Sequence, residues 1–157
     1  MDRAASFVAL EAMHSGVAYR AQRDQVFFCV ASRMAAELSV VHLKVRHRAA
    51  RLTPPEAVLS VITYGEFLYG AAKSQHRVAA LERLRELVLL LPALALPEAA
   101  AETYGTIRAK LEAKGEMIGN NDLWIAAHAV AAGLTLVTNN EREFRRVKGL
   151  KIQNWAV

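Results

Sequence analysis

Hydrophobic and polar positions change rhythm around Thr53-Pro54-Pro55, which two consecutive prolines confine to a turn or loop. Just beyond it, residues 57–62 (Ala-Val-Leu-Ser-Val-Ile) are nearly all apolar and partly β-branched, which predicts a strand buried on both faces. Thr63 and Glu66 then make the capping-box spacing that opens a helix, with Gly70 ending it or loosening its last turn. Val78, Leu81, Leu84 and Val88 recur at helical spacing and predict an amphipathic helix over 75–90, stopped by Leu91-Pro92. Residues 93–96 read as a short strand. Pro97 opens another helix, with Ala100, Tyr104, Ile107 and Leu111 on its buried face and Gly115 at its end. Gly119-Asn120-Asn121 caps a helix over 122–132 that Gly133 closes. A second buried strand follows over 134–138. Asn139 and Asn140 cap a short helical turn, and residues 150–155 alternate as a final edge strand.

The first half is softer. Residues 26–30 (Val-Phe-Phe-Cys-Val) form a strand candidate. Phe7, Leu10, Met13 and Val17 suggest a helix before it, and residues 34–51 another after it. Strands separated by helices of this length make βαβ units, so the expected class is α/β with a mainly parallel central sheet flanked by helices. Such sheets bind ligands past the carboxyl ends of their strands. The helix starts at Glu66 and Asn140 directly follow strands at that edge, and the fold can bring the start at Asp122 there.

Composition narrows the class. The 157 residues suit one domain, and 54% hydrophobic content is too high for a disordered chain. Cys29 is the single cysteine, so no disulfide framework is expected and a cytoplasmic setting fits. No apolar run is long enough for a membrane span, and Met1-Asp2-Arg3 does not open a signal peptide. Lys and Arg outnumber Asp and Glu by 20 to 15, a mild basic excess that favours no single partner class.

Glu66, Asp122 and Asn140 are the candidate chemistry. Each has a structural alternative: a capping-box acid, a charge at the positive end of a helix dipole, and an N-cap. Together at one sheet edge, oxygen donors of this kind suit a hard divalent cation such as Mg²⁺ or Mn²⁺. Without a cation the two carboxylates would repel and raise each other's pKa. Arg142, Arg145, Arg146 and Lys148 follow directly and read either as phosphate contacts or as a solvated face. The basic stretch Lys44, Arg46, His47, Arg48 and Arg51 has the same two readings. His128 is expected in the core, and Trp124 and Trp155 in the core or an interface.

Several stretches occur in an order that resembles a PIN-domain ribonuclease of the VapC toxin type. They are Leu59-Ser-Val-Ile-Thr-Tyr-Gly-Glu66 with Tyr69-Gly-Ala, Tyr104-Gly-Thr-Ile-Arg108, and Gly119-Asn-Asn-Asp122-Leu-Trp-Ile-Ala-Ala-His128. Thr135-Leu-Val-Thr-Asn-Asn140 with Arg142-Glu-Phe144, and Val147-Lys-Gly-Leu150 running to Asn154-Trp155, complete the match over residues 44–157. The resemblance implies a three-layer-like PIN domain over 26–157, preceded by a divergent extension over 1–25. It implies cleavage of RNA with Mg²⁺ or Mn²⁺, a VapB-type antitoxin partner and a homodimer. Glu66, Asp122 and Asn140 match metal-site positions, and Thr138 matches the hydroxyl residue beside them. Arg142, Arg145 and Arg146 are the RNA-contact candidates. Leu68, Tyr69 and the helix over 78–91 are candidates for an antitoxin or dimer surface.

One departure stands out. The resembled family opens with a strand ending in Leu-Asp-Thr-Asn, whose Asp is a metal ligand. Here that position falls on Ala31, followed by Ser32 and Arg33, none of them a carboxylate. Asp24 precedes the strand, and Glu37 lies one to two helical turns beyond. The rival reading is therefore a catalytically degenerate module that binds antitoxin or RNA without cleaving. A small-molecule phosphotransferase or hydrolase is disfavoured, because no Gly-rich phosphate loop is present.

Overall fold

The computed structural model of the chain describes residues 26–28 and 57–155. The expected helices at 7–17 and 34–51, the 1–25 extension, and positions 24, 31 and 37 lie outside the described residues. Five parallel strands form one sheet: β1 (Val26–Phe28), β2 (Ala57–Ser60), β3 (Ala93–Leu94), β4 (Thr135–Val137) and β5 (Lys151–Gln153), in the order β3-β2-β1-β4-β5. β1 is central, with Val26 in register with Ala57 on one side and Thr135 on the other. The strand order reverses across the β1–β4 pair, and a parallel sheet opens its ligand crevice outside the carboxyl ends of such a pair.

The helices are α1 (Val61–Lys73), α2 (Arg77–Leu90), α3 (Ala99–Lys114), α4 (Asn120–Ala131) and the single turn α5 (Glu141–Phe144). Strand side chains alternate between faces. Val58 and Leu136 therefore enter one core with Ile107, Leu111, Leu123 and Ala127 of α3 and α4. Ala57, Leu59 and Val137 enter the opposite core with Phe67, Leu84 and Trp155. Helices cover both faces, so the expected three-layer α/β arrangement is present. This explains why β2 reads as an unbroken apolar run.

Both α3 and α4 end in Schellman motifs. Glu116 N donates to Leu111 O at 3.0 Å around Gly115, and Leu134 N to Ala129 O at 2.9 Å around Gly133. Gly115 and Gly133 have φ of 66° and 69°, the left-handed conformation that glycine adopts without penalty. His128 is fully buried among core residues of α4, as expected. Among the described residues no helix is long and apolar enough to cross a membrane.

Two expectations need correction. Thr63 does not cap α1: the helix starts directly after β2, and Ser60 Oγ accepts from Ile62 N at 3.1 Å. A hydroxyl already at the strand end satisfies that donor, so no loop is needed. Thr63 is buried within the helix, and Glu66 lies beyond its first turn. Val78 is also not on the buried face of α2: it is 71% exposed, and Leu84 makes the core contact. The one-sided burial of α2 is narrower than its apolar stripe, leaving Val78 and Leu89 at the surface.

Candidate functional site

Three segments deliver the site. Glu66 comes from α1, Asp122 from the first turn of α4, and Thr138 to Glu143 from the turn after β4 and from α5. Thr138 is buried, and its Oγ1 accepts from Asn140 N at 3.0 Å, a side-chain turn that sets where Asn140 points. Asn140 Nδ2 then donates to Asp122 Oδ2 at 3.2 Å. Asn121 Nδ2 donates to Glu66 Oε1 at 2.9 Å, so adjacent residues of α4 face the other two segments. The structure thus brings Glu66, Asp122, Asn140 and Thr138 to one edge.

Glu143 joins them. Its Oε2 accepts from the Gly119 amide at 3.3 Å, and its charge acts on Asp122. Burial pushes Asp122 up to about 6 from the ordinary 3.8. The charges of Glu143 and Glu66 add to the rise, while the Asn140 amide opposes it.

Glu143 and Asn121 were not among the expected site residues. Glu143 lies three residues past Asn140, one helical turn away on the same face, and that spacing was the available signal. Glu141, on the same short helix, points elsewhere. Its Oε1 accepts from Asn154 Nδ2 at 2.8 Å and its Oε2 pairs with Arg145, which together hold its pKa below the usual range. Two residues rotate a helix by about 200°, enough to separate the acids. Asn121 carried no separate signal, since its partner Glu66 is 55 residues away.

The arginines are divided. Arg145 pairs with Glu141, and Arg146 Nη1 donates to Met117 O at 2.8 Å, bracing the loop before α4. Arg142 is exposed beside the site. Trp124 stacks on Tyr104 with ring centroids 4.0 Å apart, and Tyr104 donates to Asn120 Oδ1 at 2.9 Å, fixing α4 against α3.

Donor chemistry decides whether a divalent cation fits. Glu66, Asp122, Glu143 and Asn140 offer oxygen alone, and a cation would relieve the repulsion that raises Asp122. Among the described residues no group of three or more His, Cys, Asp and Glu side chains is arranged to hold a metal by itself. One or two carboxylates with water completing the shell is the usual way Mg²⁺ is held, and these residues fit that pattern.

A family model described as the PIN domain matches residues 32–150. Ribonuclease VapC2 of Haemophilus influenzae is 41% identical over 98 residues, which cover 62% of this chain and 74% of the relative. The tRNA(fMet)-specific endonuclease VapC of Shigella flexneri is 42% identical over 98 residues, with the same coverage of each chain. The VapBC-1 structure from nontypeable Haemophilus influenzae superposes with a TM-score of 0.72 at 29% identity, covering 84% of this chain and 100% of that chain.

Proposed function

We propose that this chain, which belongs to the PIN-domain family, is a VapC-type ribonuclease, the metal-dependent toxin of a VapBC-type toxin–antitoxin pair. The observation that carries this reading is the convergence of Glu66, Asp122, Glu143 and Asn140 past the carboxyl edge of the sheet. Asp122 with one neighbouring carboxylate, Glu66 or Glu143, and water would hold Mg²⁺ or Mn²⁺, with Asn140 either binding through its amide oxygen or orienting Asp122. When bound, the cation supplies a Lewis acid that activates water and offsets charge on the phosphoryl group. The chain's own residues supply position. Asn121 and Asn140 restrain Glu66 and Asp122, Thr138 sets the turn, and Gly119 N holds Glu143. Arg142, Arg145 and Arg146 add positive charge for the RNA backbone.

The partners in this reading are RNA, a VapB-type antitoxin and a second copy of the chain, in the cytoplasm. Residues 26–157 form the catalytic domain and 1–25 an extension. Ala31 at the position of the first family Asp favours the second reading, a degenerate module that binds without cleaving. Incubating the purified full chain with mixed RNA containing initiator tRNA, with Mn²⁺ or with chelator, tests the proposal. The expected result is chelator-sensitive cleavage, weak at most in the unaltered chain and stronger in Ala31→Asp, that disappears in Asp122→Asn. If neither the unaltered chain nor Ala31→Asp cleaves RNA, the ribonuclease reading fails.

A further inference from the structure

Beside the acidic cluster, among the described residues, runs a cleft of about 420 Å³ lined by Ile62, Gly65, Glu66, Tyr69 and Asn121. It shares Glu66 and Asn121 with the site, so whatever occupies it is continuous with a ligand bound there. Gly65 contributes no side chain, and a Cβ placed on it would meet nothing within 4 Å. Tyr69 is one turn further along α1 from Gly65 and is 65% exposed, so its ring is open to a ligand. Lys73 Nζ lies 5.2 Å from its ring centroid and donates to its hydroxyl at 3.3 Å. The wall therefore carries a largely exposed ring with a cation over it, and Asn121 lines the same cleft.

We propose that Tyr69 is a stacking platform for a nucleobase of single-stranded RNA, adjoining the phosphate held at the Glu66–Asp122 site. This deepens the ribonuclease reading and rests on it. Flexible single strands are held by aromatic faces together with nearby cations, and any base has a π face to offer. The cleft exceeds the bulk of one base, in the range of ordinary ligand pockets. Lys73 supplies charge for the flanking phosphate. A protein partner would use the same apolar surface without requiring a stacked planar ring.

The test measures binding of a short fluorescent single-stranded RNA to the full chain carrying Asp122→Asn, with Ca²⁺ present to prevent cleavage. A matched set of oligonucleotides has one abasic residue moved along the strand. In the Tyr69-intact protein one abasic position should weaken binding by about five- to a hundredfold, the range for loss of one stacked base. Tyr69→Ala should weaken the intact strand by a similar factor and abolish the effect of that abasic position, while Tyr69→Phe keeps both. Gly65→Leu, which fills open space, should weaken RNA binding with thermal stability retained. If the unaltered chain cleaves RNA but Tyr69→Ala binds every strand as the parent does, the subsite is wrong and the ribonuclease reading stands. Loss of VapB-type antitoxin binding alone in Tyr69→Ala would assign the cleft to protein and overturn the proposal. No RNA binding and no cleavage by the unaltered chain would end both readings.

Discussion

Asn140 Nδ2 donates to Asp122 Oδ2 at 3.2 Å, joining residues 18 positions apart. The bond ties the turn after β4 to the first turn of α4 and is the main contact that lowers the Asp122 pKa. Burial, Glu143 and Glu66 all act in the other direction and prevail. The site is thus assembled against an electrostatic cost, as expected where carboxylates are gathered for a cation rather than for stability.

Asp122→Asn should therefore abolish cleavage and stabilise the fold. A carboxyl group raised from 3.8 to about 6 binds more protons folded than unfolded, so its ionisation above pH 6 opposes folding. Discounted for partial exposure, the gain at pH 7.5 should be about 1–2 kcal/mol. Denaturant unfolding of both proteins, beside RNA cleavage with Mn²⁺, checks it. A destabilised variant would mean that Asp122 is structural.

Glu143→Gln should lower metal-dependent cleavage by about a hundredfold or more, comparable to loss of a ligand. It should also move the apparent Asp122 pKa down toward 3.8, because the largest charged neighbour is removed. NMR titration of the Asp122 carboxyl carbon reads this without requiring activity. An unmoved titration would show that burial alone sets the value.

Acid stability should depend on His128. Burial lowers its pKa from 6.5 to about 4, so the unfolded chain binds a proton that the folded chain does not across that interval. Stability should be complete above pH 6.5 and fall by up to about 3 kcal/mol as pH drops toward 4. Asp122 contributes with the opposite sign over an overlapping interval, so unfolding is best measured in the Asp122→Asn background. His128→Leu should flatten the slope there. An unchanged slope would place the acid sensitivity in other groups.

Ala31→Asp should raise Mn²⁺-dependent cleavage above that of the unaltered chain, for which weak activity or none is expected. A carboxylate restored at the position the family uses as a metal ligand should strengthen cation binding by orders of magnitude. Strong cleavage by the unaltered chain would instead show that another residue fills the role, with Glu37 the first to substitute.

Local physics made much of this protein legible in its sequence. Apolar runs and helical periodicity are properties of neighbouring residues, so β2, α3, α4 and β4 could be read directly, as could the glycine ends at Gly115 and Gly133. The helix starts at Asp122 and Asn140 were legible for the same reason, while their reading as a metal site came from the family resemblance. What only the tertiary structure decided was which acids face the site and which serve elsewhere. Glu141 and Glu143 stand on one helical turn and differ in direction alone, and that direction is set by how α5 docks beside Asn154, Arg145 and Gly119. Thr63 and Ser60 competed for one cap, and strand β2 settled it by ending at Ser60. The Asn121–Glu66 bond joins segments that have no periodic relation, so only the packing of α4 against α1 could reveal it.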